Sequence, residues 1–289
     1  MTIAHVFGRN PRDRALRADL LAEAAAVEEG LLAAVKSDVP FIGESGRSLL
    51  RTGTGWRLRP LLVLLAARFG DPHAPGVAPA AIAVELTHLA VLGHDTVCDA
   101  EAAPRPGPGS GVLGATSVAV LTGDFLFARA SQLLAALGPD AVRAQTAAYA
   151  RMVTGQMLAR TGPGEGCDPV AHHVEVAAAR TGSLTGASAR LGALASGADD
   201  RVGDALARYG ERLGTALRLT DDALGAAVGP PRTHAAPRRA LRDARRRAHH
   251  ARSALRDLPD CAAKDTLAGL CATVTGQGPG RGRPRDASQ

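Results

Sequence analysis

Residues 85 to 99, Glu85-Leu-Thr-His-Leu-Ala-Val-Leu-Gly-His-Asp-Thr-Val-Cys-Asp99, decide the fold. Leu86, Leu89, Ala90 and Leu92 recur at three- and four-residue intervals with no Gly or Pro before Gly93, which predicts one buried helix. Asp95 and Asp99 stand four apart, so on a helix both carboxylates share a face, roughly 6 Å from each other, and can hold a divalent cation. His88 lies two turns before Asp95 on nearly the same line.

An isolated acidic pair at a helix end is most often only solvated. Here a second pair, Asp221 and Asp222, follows another apolar helical run, Leu213 to Thr220. Two such clusters, far apart in the chain, can face each other across one cavity. A hard cation such as Mg2+ takes a few carboxylates and completes its shell with phosphate oxygens, so this pattern suggests a metal-bridged diphosphate site.

Outside these stretches, composition narrows the class. The chain has 289 residues, 46% of them hydrophobic but only 3% aromatic. Ala and Leu are strong helix formers and β-branched runs are scarce, so the expectation is an all-α protein. Charged residues or His interrupt the hydrophobic runs, which argues against a transmembrane segment. The N-terminus lacks the apolar core of a signal peptide, and a cytoplasmic location is expected. Cys98, Cys167, Cys261 and Cys271 show no CxxC spacing, which disfavours zinc and disulfide scaffolds. The formal net charge is +6, carried almost wholly by Arg, with Lys36 and Lys264 the only lysines.

In chain order, a first helix is expected over 12–36, broken from Pro40 to Gly46. Gly53 to Pro60 then opens an apolar helix, with Pro60 in its first turn and Arg57 and Arg59 beside an N-terminus that favours anions. Loops are expected over 70–79 and 100–111, the second either a lid or a plain connection. A buried helix resumes near Val118 and contains Asp124; another spans 140–160; a small-residue helix starts at Thr181. The Arg-rich stretch from Arg238 to Arg247 lacks interleaved aromatics, so it reads as a solvated helix face rather than a nucleic-acid surface. Residues 1–275 are expected to form one domain and 276–289 a disordered basic tail.

Several motifs now fall into line. Gly55-x-Arg57-Leu-Arg59-Pro60, Glu85-Leu-x-His88 with His94-Asp95-x3-Asp99, Gly123-Asp124, Gly155-Gln156, Arg180-Thr181 and Asp221-Asp222 resemble, in order and spacing, the trans-isoprenyl (polyprenyl) diphosphate synthases. The resemblance spans roughly residues 45 to 230. It implies an isoprenoid synthase-type helical bundle around a central apolar cavity, usually a homodimer. It also implies Mg2+ held on an allylic diphosphate, whose ionisation gives a carbocation that isopentenyl diphosphate attacks. By the same resemblance Asp95, Asp99 and Asp221 are the metal ligands; Arg180 and Thr181 join them in catalysis; and Gly55, Arg59, His88, Arg105, Gln156 and Arg218 bind substrate.

The departures are specific. The first motif keeps its outer carboxylates, Asp95 and Asp99, but has Thr96 in place of an Asp; the second ends in Gly225. Trp56 replaces a Lys, Pro104 replaces the first of two arginines, and Arg218 stands where Gln is usual. Each lost cationic contact to phosphate costs on the order of 1.5 to 3 kcal/mol. Three functions therefore remain open: a prenyl diphosphate synthase, a class I terpene cyclase-like enzyme with one diphosphate substrate, and a catalytically poor subunit paired with an active homologue. Ala90 and Val91, where early-stopping family members carry aromatics, point to a geranylgeranyl or longer product for the first.

Overall fold

The first described element is a long helix, α1 (Pro11–Ala34). The computed structural model describes residues 11–52, 57–102, 112–225 and 237–276, without the side chains of 11–13, 52, 96–102 and 112–115. Among these residues no strand occurs, and ten more helices follow. They are α2 (Pro40–Thr52), α3 (Leu58–Ala67), α4 (Val77–Ala102), α5 (Val112–Ala135), α6 (Pro139–Thr161) and α7 (Pro169–Ala177). After a π turn (Ala178–Gly182) come α8 (Ser183–Ala195), α9 (Asp200–Gly225), α10 (Pro237–Ala254) and α11 (Ala262–Val274).

The centre of the bundle is α3, because it is apolar on every side: all its residues except Arg59 are buried. A helix without a polar face has to be surrounded. On one flank α8 comes so near that a Cβ on Gly192 would lie 2.2 Å from the Val63 carbonyl oxygen. Behind α8, a Cβ on Gly210 of α9 would lie 2.4 Å from the Thr185 carbonyl oxygen. The small residues after Thr181 thus serve close helix crossing. Two buried polar ties fix the register of neighbouring helices. Gln145 Nε2 of α6 donates to Thr87 Oγ1 of α4 at 2.9 Å, and Tyr209 Oη of α9 donates to the Leu267 carbonyl of α11 at 2.7 Å.

On α10 the buried side is a stripe of small residues, Ala240, Ala244, Ala248 and Ala251. Its arginines lie on the remaining faces, where Arg239 pairs with Asp168 at 2.6 Å and Arg246 with Asp243 at 2.7 Å. The structure thus gives this Arg-rich stretch a solvated helix face.

Elsewhere the structure corrects the sequence reading. Pro40 to Gly46 is not a break but the start of α2, since proline fits the first helical turn, where its missing N–H goes unused. The loop expected over 70–79 ends by Val77, where α4 begins. Helix α5 is not buried throughout: Leu121 is 57% and Val120 38% exposed. Two helical stretches, Val77–Asp95 and Thr116–Ala135, are long and apolar enough to cross a membrane, contrary to the expectation that charges interrupt every run. The first is 61% buried among its neighbours, as a core helix is, and the second only 28%. Cys167, Cys261 and Cys271 are free thiols. The tail from 277 onward lies outside the described residues.

Candidate active site

Arg59 is the polar exception on α3, and the space it faces is a cavity of about 310 Å3. From α4 the cavity receives His88, Val91, Leu92 and Asp95, spaced so that they share one face of that helix. Met152 of α6, Arg180 and Thr181 of the π turn, and Arg218 of α9 complete the wall. Only Val91, Leu92 and Met152 are apolar, so the described lining is more polar than the greasy chamber expected from the sequence.

Two features of local backbone aim these side chains. In the π turn the Ser183 N–H bonds to the Ala178 carbonyl, five residues back, which widens the helix where Arg180 and Thr181 sit. Gly155 lets α6 approach that widened turn: a Cβ there would lie 2.6 Å from Ala179 Cβ and 3.0 Å from Arg180 Cγ. The next residue, Gln156, donates through Nε2 to Asp95 Oδ1. Arg180 donates to Asp95 Oδ2 at 3.1 Å. One carboxylate is thereby held from two directions.

At the end of α9, Arg218 Nε donates to Asp222 Oδ2 at 3.1 Å, and His173 Nε2 of α7 lies 3.4 Å from the same oxygen. Asp222 is half-buried, whereas Asp221 is exposed and is not part of the cavity wall. The helix carrying the second acidic pair therefore reaches the cavity through Arg218.

Beneath Arg59 lies an ion-pair knot. Arg57, the residue capping α3, donates to Glu85 Oε1 at 2.9 Å and to both oxygens of Glu28. It is committed to carboxylates of α1 and α4 rather than turned to an incoming anion. Arg59 Nε is buried without a partner, and so is Glu85 Oε2. Burial lowers the Arg59 pKa, an effect that Glu85 opposes. Burial also pushes His88 well below its usual value, and the charges of Arg59 and Arg57 add to that. His88 is therefore a neutral imidazole at neutral pH, with one N–H to donate and one nitrogen to accept.

Of the residues expected from sequence, Asp95, Arg59, His88, Arg180, Thr181 and Arg218 share this cavity, and Gln156 touches it through Asp95. Asp99 follows one turn after Asp95 on α4, with its side chain outside the described residues. Gly55, Trp56 and Arg105 also lie outside them. His173 was missed, since nothing in the spacing of His172-His173 marks it. Tyr149 was missed too. Its hydroxyl lies 3.4 Å from His94 Nδ1, and His94 Nε2 lies 3.2 Å from Asp124 Oδ1, which accounts for that acid on α5.

With this arrangement in place, comparison with known proteins is decisive. The polyprenyl synthetase family pattern matches residues 42–234, two thirds of the chain and the stretch that holds every described wall residue of the cavity. The chain belongs to the polyprenyl synthetase family.

Within it, the chain is 38% identical over 194 residues to the nonaprenyl diphosphate synthase of Mycobacterium tuberculosis, covering 67% of this chain and 58% of that protein. It is 36% identical over 186 residues to heptaprenyl diphosphate synthase component 2 of Geobacillus stearothermophilus, covering 64% and 58%. It thus spans less than two thirds of the length of either relative. In three dimensions it resembles the geranylgeranyl pyrophosphate synthase of Corynebacterium glutamicum complexed with calcium and isoprenyl diphosphate. The TM-score is 0.80 and the identity 29%, over 93% of this chain and 98% of that one. The family fold is the all-α isoprenoid synthase bundle, and this polyprenyl synthetase has it.

Proposed function

We propose that the protein is a trans-prenyltransferase that condenses an allylic diphosphate with isopentenyl diphosphate to give a geranylgeranyl or longer product. The observation that carries this reading is the convergence of Arg59, His88, Asp95, Arg180 and Arg218 with Val91, Leu92 and Met152 on one cavity. Cations there neutralise a diphosphate leaving group, and the apolar side chains accept a hydrocarbon chain.

In this reading Arg180 and Arg218 hold the allylic diphosphate, while Arg59, His88 and Arg105 hold isopentenyl diphosphate. The neutral imidazole of His88 donates its N–H without adding positive charge beside a carbocation. Thr181 lines the wall next to Arg180. The donor chemistry suits Mg2+, a hard ion that prefers carboxylate oxygen: Asp95, Asp99 and Asp221 would hold it. Bound there, the ion would neutralise charge that builds on the departing diphosphate. Among the described residues, no group of three or more His, Cys, Asp or Glu side chains is placed to form a metal cage. We further propose that residues 1–275 act as one domain, in the cytoplasm, with 276–289 a basic tail.

A pairing of subunits, with an identical copy or with a homologue, is supported by two observations. Leu121 of α5 and Met157 of α6 expose large apolar side chains, 57% and 58%. A relative carries the name heptaprenyl diphosphate synthase component 2.

The test is to incubate the purified protein with Mg2+ and dimethylallyl, geranyl or farnesyl diphosphate, with and without isopentenyl diphosphate, and to separate the products. Longer diphosphates are expected. Hydrocarbons or alcohols formed without isopentenyl diphosphate would indicate a cyclase instead. No turnover alone, but altered product length when mixed with an active homologue, would indicate a modulating subunit. Asp95→Ala is expected to lower the rate at least about 100-fold; a variant near the wild-type rate removes Asp95 from the metal site.

A further inference from the structure

We infer that the outer face of α10 is a docking surface for an anionic lipid bilayer, engaged through a row of arginines that lies outside the cavity. Helix α10 holds seven arginines and one acid, Asp243, a net charge of +6 that equals the formal charge of the whole chain. The remaining residues therefore sum to zero, and the excess positive charge sits on this one helix. Within the helix the charges are ordered. Arg238, Arg242, Arg245, His249 and Arg252 follow one another at alternating steps of four and three, so they form one line along the axis, and all five are exposed. Opposite them runs the stripe of alanines by which α10 rests on its neighbours: Ala244 packs with Val170 and Val174 of α7 and with Leu219 of α9.

No carboxylate among the described residues pairs with Arg238, Arg242, Arg245 or Arg252; Asp168 and Asp243 are taken by Arg239 and Arg246 instead. Like charges three and four residues apart destabilise a helix, so an uncompensated row gains from meeting an anionic surface. Two open grooves flank the row. One, of about 620 Å3, lies against α7, where Arg242 and Arg247 stand with Glu175; the other, of about 440 Å3, lies against α11, where His249, Arg252 and Arg256 stand with Lys264. Each has room for a phosphate-bearing headgroup, and the 18 residues of α10 span about 27 Å, enough to meet several headgroups at once. A bilayer is favoured over nucleic acid because α10 has no aromatic side chain on which a base could stack. It is favoured also by the product: a geranylgeranyl or longer chain leaves water for an apolar phase, so a synthase held at a bilayer delivers it where it is stable. That second argument rests on the prenyltransferase reading.

No residue of α10 lines the cavity, so the row can be altered without touching the chemistry. The experiment is cosedimentation of the full chain with vesicles of equimolar phosphatidylglycerol and phosphatidylcholine, and with vesicles of phosphatidylcholine alone. Binding is expected only to the anionic vesicles. It is expected to be lost as salt rises from about 0.1 M to about 1 M, which cuts the screening length from ~10 Å to ~3 Å. Near an anionic surface each arginine counts for about fivefold in partitioning, so the double variant Arg242→Gln, Arg245→Gln is expected to bind about 30-fold more weakly, with its turnover in solution unchanged. Arg47→Gln with Arg143→Gln, which removes the same charge from exposed sites on α2 and α6, is expected to bind within about threefold of wild type. The inference is overturned if the protein ignores anionic vesicles or if the two double variants weaken binding equally. It is overturned too if polyuridylate or polyglutamate, at a charge concentration below that of the lipid headgroups, strips the protein from the vesicles. Turnover keeps the two readings apart: vesicle binding through the row by a protein that forms no prenyl diphosphate refutes the prenyltransferase reading alone, whereas a working prenyltransferase that ignores anionic vesicles refutes the docking surface alone.

Discussion

Replacing Arg57 by Met removes the knot that joins α1, α3 and α4, and the loss falls unequally on its two acids. Glu28 is 47% exposed and can turn to water, so its share is about 1 kcal/mol or less. Glu85 is 3% exposed, and its other oxygen already lacks a partner. Leaving a buried charge uncompensated costs about 3 to 5 kcal/mol. Arg59 is near enough for Glu85 to oppose its pKa shift, so it offsets part of the loss and places the variant at the lower end, about 3 kcal/mol. At 2 to 4 °C per kcal/mol for a domain of roughly this size, the melting temperature should fall by about 6 to 12 °C. Scanning calorimetry on Arg57→Met, Glu85→Gln and the double variant measures this. Neutralising Glu85 in the Arg57→Met background should recover about half the loss, because the stranded charge is gone. A shift below about 2 °C for Arg57→Met, or a double variant no more stable than that single one, would refute the reasoning.

Two other outcomes follow from the same region. Gly155→Ala should destabilise by about 1 to 3 kcal/mol, since its Cβ would overlap Ala179 Cβ at 2.6 Å and crowd Arg180; a thermal midpoint equal to wild type would place α6 farther from the π turn than described. His88 gives a pH signature. Its folded pKa lies well below 6.5, so the unfolded chain takes up a proton that the folded protein refuses, and stability declines as pH drops from about 6.5 toward the folded value, by up to ~1.4 kcal/mol per unit. Urea midpoints between about pH 7 and 5 should therefore fall less steeply for His88→Asn than for wild type, and parallel slopes would contradict its burial.

What the sequence made legible was whatever depends on local spacing. The three- and four-residue steps of α4 place His88 and Asp95 on one face, and the unbroken apolar run of α3 makes Arg59 conspicuous. What escaped depends on partners distant in the chain. Arg57 looks like an anion-facing arginine at a helix start until α1 and α4 bring Glu28 and Glu85 against it. Telling the surroundings of Asp221 from those of Asp222 also depends on partners distant in the chain. Adjacent residues on a helix point about 100° apart, and only the packing of α7 and α9 turns Asp222 toward His173 while leaving Asp221 exposed. Helix α5 shows the limit of hydropathy, since its apolar composition does not say which part of it the rest of this chain covers.

The π turn holds one residue more than an ordinary helical turn, so α7 and α8 are out of phase by a single step. Deleting Ala178 would let the two run together as one continuous rod. Every side chain on one side of the cut would then swing by about 100° relative to the other. Arg180 would leave Asp95 without any functional group having been altered. Activity here thus hangs on a frameshift of geometry, and a catalogue of the side chains present would not register its loss.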